Sequence, residues 1–315
     1  MEAHDIDVDR RLEVAGNVKA NEVEVGGKFE VGKELTADRV RVGGTVRVAG
    51  ATRAGAVEVG GKVELHHVEL ENLSVGGSAE VGSGIVRDGI EIGGRFVGGD
   101  DLTFGRLEVG GIARVGRRGQ GGTIEIGGKL STDGELKFTR LEVGGIAELG
   151  GDGSGENIDI GGRLRVRGSL TLSEKLEIGG SCQIEGDLVA RRLEVNGELT
   201  CRSAVIAERA EVGGNVSTER GLRAQSISLE RRGSARGWLV GDTVWIERKG
   251  TAQGIYGREV SIDSDARVDE VIADVLRVER GVRIGRVRYV RTLSAESDVS
   301  FGSPPEQISA MPPPP

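Results

Sequence analysis

Leu107-Glu-Val-Gly-Gly-Ile-Ala-Arg-Val115 is followed, seventeen residues on, by Ile124-Glu-Ile-Gly-Gly-Lys-Leu-Ser-Thr132, and then by Leu141-Glu-Val-Gly-Gly-Ile-Ala-Glu-Leu149. The same apolar-x-apolar-Gly-Gly signature starts at Val23, Val40, Val57, Leu73, Ile90, Ile158, Leu176, Leu193 and Ala210, mostly at steps of 17 residues and at times 16 or 18. Stepping back reaches Ile6. Stepping forward reaches Ile227, Val244, Val260 and Leu276, where the Gly-Gly is gone but the alternation persists. Self-similarity at a fixed period is the mark of a repeat architecture, in which units stack on their neighbours.

Each unit holds three apolar pairs. In the first they are Ile6/Val8, Leu12/Val14 and Val18/Ala20, and in the next Val23/Val25, Phe29/Val31 and Leu35/Ala37. Spacing of two puts both members of a pair on one face of a short strand. Three such strands per unit, separated by glycine-rich corners, predict a three-sided coil. Glycine at the corners is expected to supply positive φ. A helix is excluded: the i, i+3, i+4 pattern is missing, and Val-Glu-Val-Gly-Gly is a poor helix sequence.

The expected fold is therefore all-β: one long right-handed three-sided parallel β-helix, a solenoid of about 17 coils of about 17 residues, with an incomplete coil near Leu293. Residues 1–5 read as an N-terminal tail and residues 6–296 as the β-helix. Its Gly-Gly coils are regular to about 214, and the coils of 215–296 are altered and richer in arginine. Residues 297–315 read as a proline-rich disordered tail. All six prolines fall in this last stretch. A proline-free body suits continuous ladders, because proline cannot donate a ladder hydrogen bond.

Composition narrows the function classes. A net charge of −8 argues against nucleic acid as a partner. No apolar run approaches the roughly twenty residues that span a bilayer. Two cysteines in 315 residues fit a reducing compartment and not a disulfide scaffold, so the expected location is cytoplasmic, with no membrane contact indicated. Cys182 and Cys201 read as buried, inert thiols in different columns. His66-His67 lacks the further ligands a metal site needs. No nucleophile–base set or phosphate loop stands out, and the nearly uniform coils leave no walled cleft. The chain reads as no enzyme, with no catalytic residue, cofactor or metal.

The Leu-Glu-Val-Gly-Gly units with intervening apolar-x-apolar segments, such as Leu193-Glu-Val-Asn-Gly-Glu-Leu-Thr-Cys201, resemble those of the bactofilins over residues 6–296. Bactofilins are polymer-forming cytoskeletal proteins, and this chain is similar to an unusually long member. The resemblance implies a self-assembling filament or scaffold that grows end to end through its terminal coils without nucleotide. The expected partner is the chain itself, as a homopolymer.

A β-helix exposes unpaired backbone groups and an apolar cross-section at each end. The candidate polymerisation interface is accordingly Ile6, Val8, Leu12 and Val14 at one end, and Val287, Tyr289, Leu293 and Phe301 at the other. Tyr289 falls in the inward column held elsewhere by Ala20, Ala37 and Ala273. A plug and a docking point are both open to it. Trp238, Trp245, Arg236 and Arg248 form a candidate partner patch on the altered coils. The alternative function is a binding module or spacer that recruits a protein partner through these coils and the proline-rich tail. The acids Glu91, Glu108, Glu125, Glu142, Asp159, Glu177, Glu194 and Glu211 line one outward column. They read as a solvated face that resists sideways aggregation.

Overall fold

The computed structural model describes residues 1–315. It is all-β, with no helix, and its parallel strands stack as a β-solenoid of about 18 turns. The chain divides into two compact units, Met1–Gly155 and Glu156–Pro315.

In the first unit three parallel ladders define three sides. The first side pairs Ile6 with Val23, Val23 with Val40, Val40 with Val57, Val57 with Leu73, Leu73 with Ile90, Ile90 with Leu107, Leu107 with Ile124 and Ile124 with Leu141. The second side opens with Leu12 on Phe29 and Phe29 on Val46, the third with Val18 on Leu35 and Ala20 on Ala37. Every repeat station of the sequence is thus a rung. The inward residues are buried almost without exception: Val23, Phe29, Val40, Val46, Val63 and Phe96 are all 0 % exposed. Residues 1–3 are no free tail. They form a rung beneath Lys19 on the third side, through Ala3 N to Lys19 O at 3.1 Å and Lys19 N to Met1 O at 3.0 Å.

The Gly-Gly corners follow a different rule from the one expected. None of Gly26, Gly27, Gly43 and Gly44 has positive φ. Glycine is needed there because successive corners stack backbone on backbone. A Cβ on Gly43 would sit 2.4 Å from the carbonyl oxygen of Gly26, and one on Gly44 2.5 Å from that of Gly27. Close approach, not φ, excludes a side chain. Within the core the same logic pairs large with small, as expected for this column. Phe104 lies on Gly121, where a Cβ would meet its ring at 2.3 Å, and Phe138 closes on Gly155 in the same way.

The second unit repeats the three ladders, running on its first side through Leu176, Leu193, Ala210, Ile227, Val244, Val260, Leu276 and Leu293. From Glu230 onward the corner after the first side changes. Two residues, as in Gly213-Gly214, become four, as in Glu230-Arg231-Arg232-Gly233. A left-handed residue recurs there at Arg232, Lys249, Asp265, Gly281 and Asp298. The next corner shortens in compensation. Paired Val216 and Ala235 are 19 residues apart on the second side, whereas Leu222 and Leu239 on the third side are again 17 apart. Two residues have moved from one corner to the other.

The proline-rich end departs from the expectation of a disordered tail. Ser300 and Phe301 pair with Arg283 and Ile284 on the second side, and Glu306 and Gln307 pair with Arg288 and Tyr289 on the third. The coil that begins at Leu293 is therefore completed by residues the sequence pattern assigned to a tail.

Candidate functional site

The outward acid column of the first side is built from alternating charges. In the first unit Arg106 Nη2 reaches Glu108 at 3.0 Å and Glu125 at 2.9 Å, and Arg140 pairs with Glu142. In the second unit Lys175 Nζ bridges Glu177 and Glu194, each at 2.7 Å, and Arg209 pairs with Glu211 at 2.6 Å. The Lys175 ammonium holds the Glu194 carboxyl below its ordinary range. The signal lies in the sequence as basic-x-acidic on one strand: Arg106-Leu-Glu108, Arg140-Leu-Glu142, Lys175-Leu-Glu177. Like charges stacked at strand spacing repel, and the cation two residues ahead relieves that repulsion. Exposed pairs of this kind contribute little stability each. They make the face hydrophilic.

A shallow trough of about 1010 Å³ runs along this side of the first unit, where the small Ala56, Asn72 and Gly89 fall between Arg39 and Arg106. Its lining is mixed in charge. Near it on the chain, Asp100 and Asp101 pair with Arg117 and Arg118 at 2.7 and 2.6 Å, and these guanidinium groups hold both carboxyls below their ordinary range.

The first coil presents its apolar residues incompletely covered. Ile6 is buried, but Val8, Leu12 and Val14 are half-exposed, while Val25, Phe29 and Val31, their equivalents one coil on, are 1, 0 and 2 % exposed. The strands Asp5–Val8 and Arg11–Val14 pair on one edge only, with the coil that follows.

At the other terminus Leu293 and Phe301 are half-buried, against 0 % for Leu276 and 1 % for Ile284. Val287 is not on that end face. It is fully buried, because the ladder continues past it through Glu306–Gln307. Tyr289 does occupy the column of Ala273, as its spacing requires. It is itself overlaid by Gln307, whose Nε2 donates to Val290 O at 3.0 Å, while Ile308 N donates to Tyr289 O at 2.8 Å.

The four residues of the expected partner patch lie on separate sides. Trp245 stands outward on the first side, 44 % exposed, its Nε1 donating to Asp263 Oδ1 at 2.8 Å. Burial, partly offset by that bond, raises the Asp263 carboxyl. Trp238 lies at the corner leading to the third side, its ring flat against Gly254. Arg236 is on the second side and Arg248 at the first corner, 3.4 Å from Asp265. The structure does not bring the two tryptophans together.

Cys182 and Cys201 are both buried and free. Burial pushes the Cys182 thiol well up and that of Cys201 to about 12. Such thiols are poor nucleophiles. His67 Nδ1 lies 3.1 Å from Ser83 Oγ. No group of three or more His, Cys, Asp or Glu side chains is placed to hold a metal ion, and no helix is long and apolar enough to cross a membrane.

No family model, curated protein or solved structure matches this chain. The reading of function rests on its own surfaces. Two of them stand out: the partly covered terminal coils, and the outward third side of the second unit, against which the proline-rich end lies.

Proposed function

We propose that this chain is a structural, self-assembling scaffold or cytoskeletal protein whose terminal coils stack on one another, copy upon copy, without nucleotide. The observation that supports this reading is the contrast in burial between the terminal coils and their neighbours. Leu12 and Val14 are half-exposed where Phe29 and Val31 are sealed by the next coil, and Leu293 and Phe301 are half-exposed where Leu276 and Ile284 are sealed. A second copy placed as one more coil would cover these residues. It would also pair the free edges of Asp5–Val8 and Arg11–Val14. Unpaired edges with an apolar cross-section are templates for further strand addition. A heterologous contact of this kind repeats without closing and gives filaments. The resemblance to the bactofilins points the same way, and filament formation there implies no catalytic residue and no cofactor.

Charges moderate the joint. Asp5, Asp7, Asp9, Arg10 and Arg11 crowd the first coil, and Glu296 and Asp298 follow Leu293. The association is therefore expected to depend on salt. Electron microscopy and light scattering of the purified chain over a range of salt and concentration test the reading. Filaments are expected, with loss of assembly in Leu12→Asp and Phe301→Asp at unchanged circular dichroism. Monomers at every concentration, or filaments indifferent to both substitutions, would overturn it.

A further inference from the structure

On the third side of the second unit the outward positions form a continuous column: Val189, Val205, Arg223, Val240, Tyr256 and Ile272. Outward positions of a solenoid are ordinarily polar, yet five of these six are apolar or aromatic. Residues 308–315 lie against it. Ile308 N donates to Tyr289 O at 2.8 Å, the Tyr256 hydroxyl donates to Pro312 O at 2.7 Å, and Arg223 Nη2 donates to Pro315 O. The segment thus crosses the Ile272 rung on its way, and Ile272 is only 3 % exposed despite facing outward. Met311 lines a groove of about 590 Å³ with Val205, Val240 and Tyr256 as apolar walls. Beyond Arg223, Val205 and Val189 remain 46 and 42 % exposed.

The two periodicities agree. A polyproline II chain advances about 3.1 Å per residue and turns once in three residues, or about 9.3 Å. Rungs of a parallel ladder are about 4.8 Å apart, so two rungs span about 9.6 Å. Pro312 and Pro315 are three residues apart, and their carbonyls meet Tyr256 and Arg223, which are two rungs apart. Proline has no N–H, so its recognition falls to donors that reach its carbonyls and to apolar surface that takes its rings. Side-chain donors set into an apolar groove are the means by which proline-rich segments are bound elsewhere.

We infer that this column is a docking groove for a polyproline II segment, filled in cis by Met311–Pro315 of the same chain and, in trans, by the same segment of a second copy. The occupant in trans is argued from identity: the segment that fits in cis carries the same residues and meets the same donors when another copy supplies it. Gly302-Ser303-Pro304-Pro305 precedes it as a connection short of side-chain anchors. Exchange of an identical element between protomers is a low-cost route to association. This inference does not rest on end-to-end stacking. A chain ending after Gln307 keeps both end faces and loses only the exchanging segment.

The test uses a fluorescent peptide of residues 306–315 and two proteins, the full chain and the chain ending after Gln307. The shortened chain is expected to bind the peptide, and the full chain at least tenfold more weakly, because its own segment fills the groove. Tyr256→Phe in the shortened chain is expected to weaken binding about threefold to tenfold, and Val240→Glu to abolish it. An equimolar mixture of full and shortened chains is expected to sediment partly as a mixed dimer. No binding at millimolar peptide, equal binding by both proteins, or equal binding of a peptide with alanine at 312–315 would each overturn the inference. Should the shortened chain not fold, hydrogen exchange and limited proteolysis of residues 308–311 in full-length Tyr256→Phe and Val240→Glu decide the matter. Release of the segment supports the groove, and unchanged protection refutes it.

Discussion

The corner at Gly43-Gly44 and the corner at Glu247-Arg248-Lys249-Gly250 solve one problem in opposite ways. In the first, the chain turns in two residues and the corners of successive coils touch, so that a carbonyl oxygen occupies the space a Cβ would need. In the second, four residues swing outward through a left-handed conformation at Lys249. The next coil's acid then caps the loop: Glu247 Oε2 accepts from Arg231 N at 3.1 Å, Glu279 from Ser264 N at 3.0 Å and Glu296 from Arg280 N at 3.3 Å. A tight corner demands glycine and tolerates nothing else. A wide corner admits long charged side chains, and carries them, at a small cost in backbone strain. The arginine-rich surface of the later coils follows from that geometry.

The comparison is open to attack at four points. The largest effect is expected from Gly43→Val, whose new Cβ would collide with the Gly26 carbonyl. Backbone cannot give way as a side chain can, and destabilisation of about 3 kcal/mol should appear in chemical denaturation. A neutral result would remove close approach as the reason for Gly-Gly. Next, Glu279→Ala strips the acid from a wide corner and is expected to cost about 1 kcal/mol, as loss of a capping side chain does. Faster hydrogen exchange at Ser264 is the local readout.

Third, Arg232→Gly is expected to act with the opposite sign. Relief of about 1–2 kcal/mol of left-handed strain outweighs about 0.5–1 kcal/mol of added backbone entropy. The wide corner should therefore gain a few degrees in thermal midpoint where the tight one loses many. Gly281 already holds the equivalent position with φ 72.

The smallest effect concerns pH. Asp100 and Asp101 have carboxyls lowered by Arg117 and Arg118. Because the folded values lie below the unfolded ones, their contribution is present above the ordinary carboxylate range of about 4 and is lost as pH falls through the lowered values. Asp100→Asn should lower the thermal midpoint slightly at pH 6 and leave it unchanged near pH 2. An equal loss at both would show that the pair acts by packing and not by charge.

How much of this was legible in the sequence depends on what each residue reports. The ladders were, since Val23, Val40 and Val57 combine apolar alternation with a glycine marker. The migration of two residues between corners was not. The sum of the two corners is conserved, so Ile227, Val244 and Val260 arrive on schedule and conceal the change. The last coil was missed because Ser300–Phe301 and Glu306–Gln307 are strands of two residues each, too short to show a period, and lie beside prolines. The first rung, at residues 1–3, contains no apolar pair at all. Of the candidate surfaces, the end face was read nearly in full, with Val287 the exception for the same reason as the last coil. The third-side column could have been found by reading outward positions across coils. Val189, Val205, Val240, Tyr256 and Ile272 depart from the polar residues those places usually hold. The scattered positions of the two tryptophans depended on corner lengths that no local pattern discloses.

Coils of 16, 17 and 18 residues coexist here while the inward stations keep their pairing. The spare residue is spent in a corner, never in a strand. For the gene encoding such a chain this means an unusual tolerance of copying errors. A three-base slip at a wide corner leaves every core contact in place, and duplication or loss of one whole repeat produces a new coil whose two neighbours already fit it. The number of coils is then a quantity that selection can adjust one repeat at a time, with no redesign of the core.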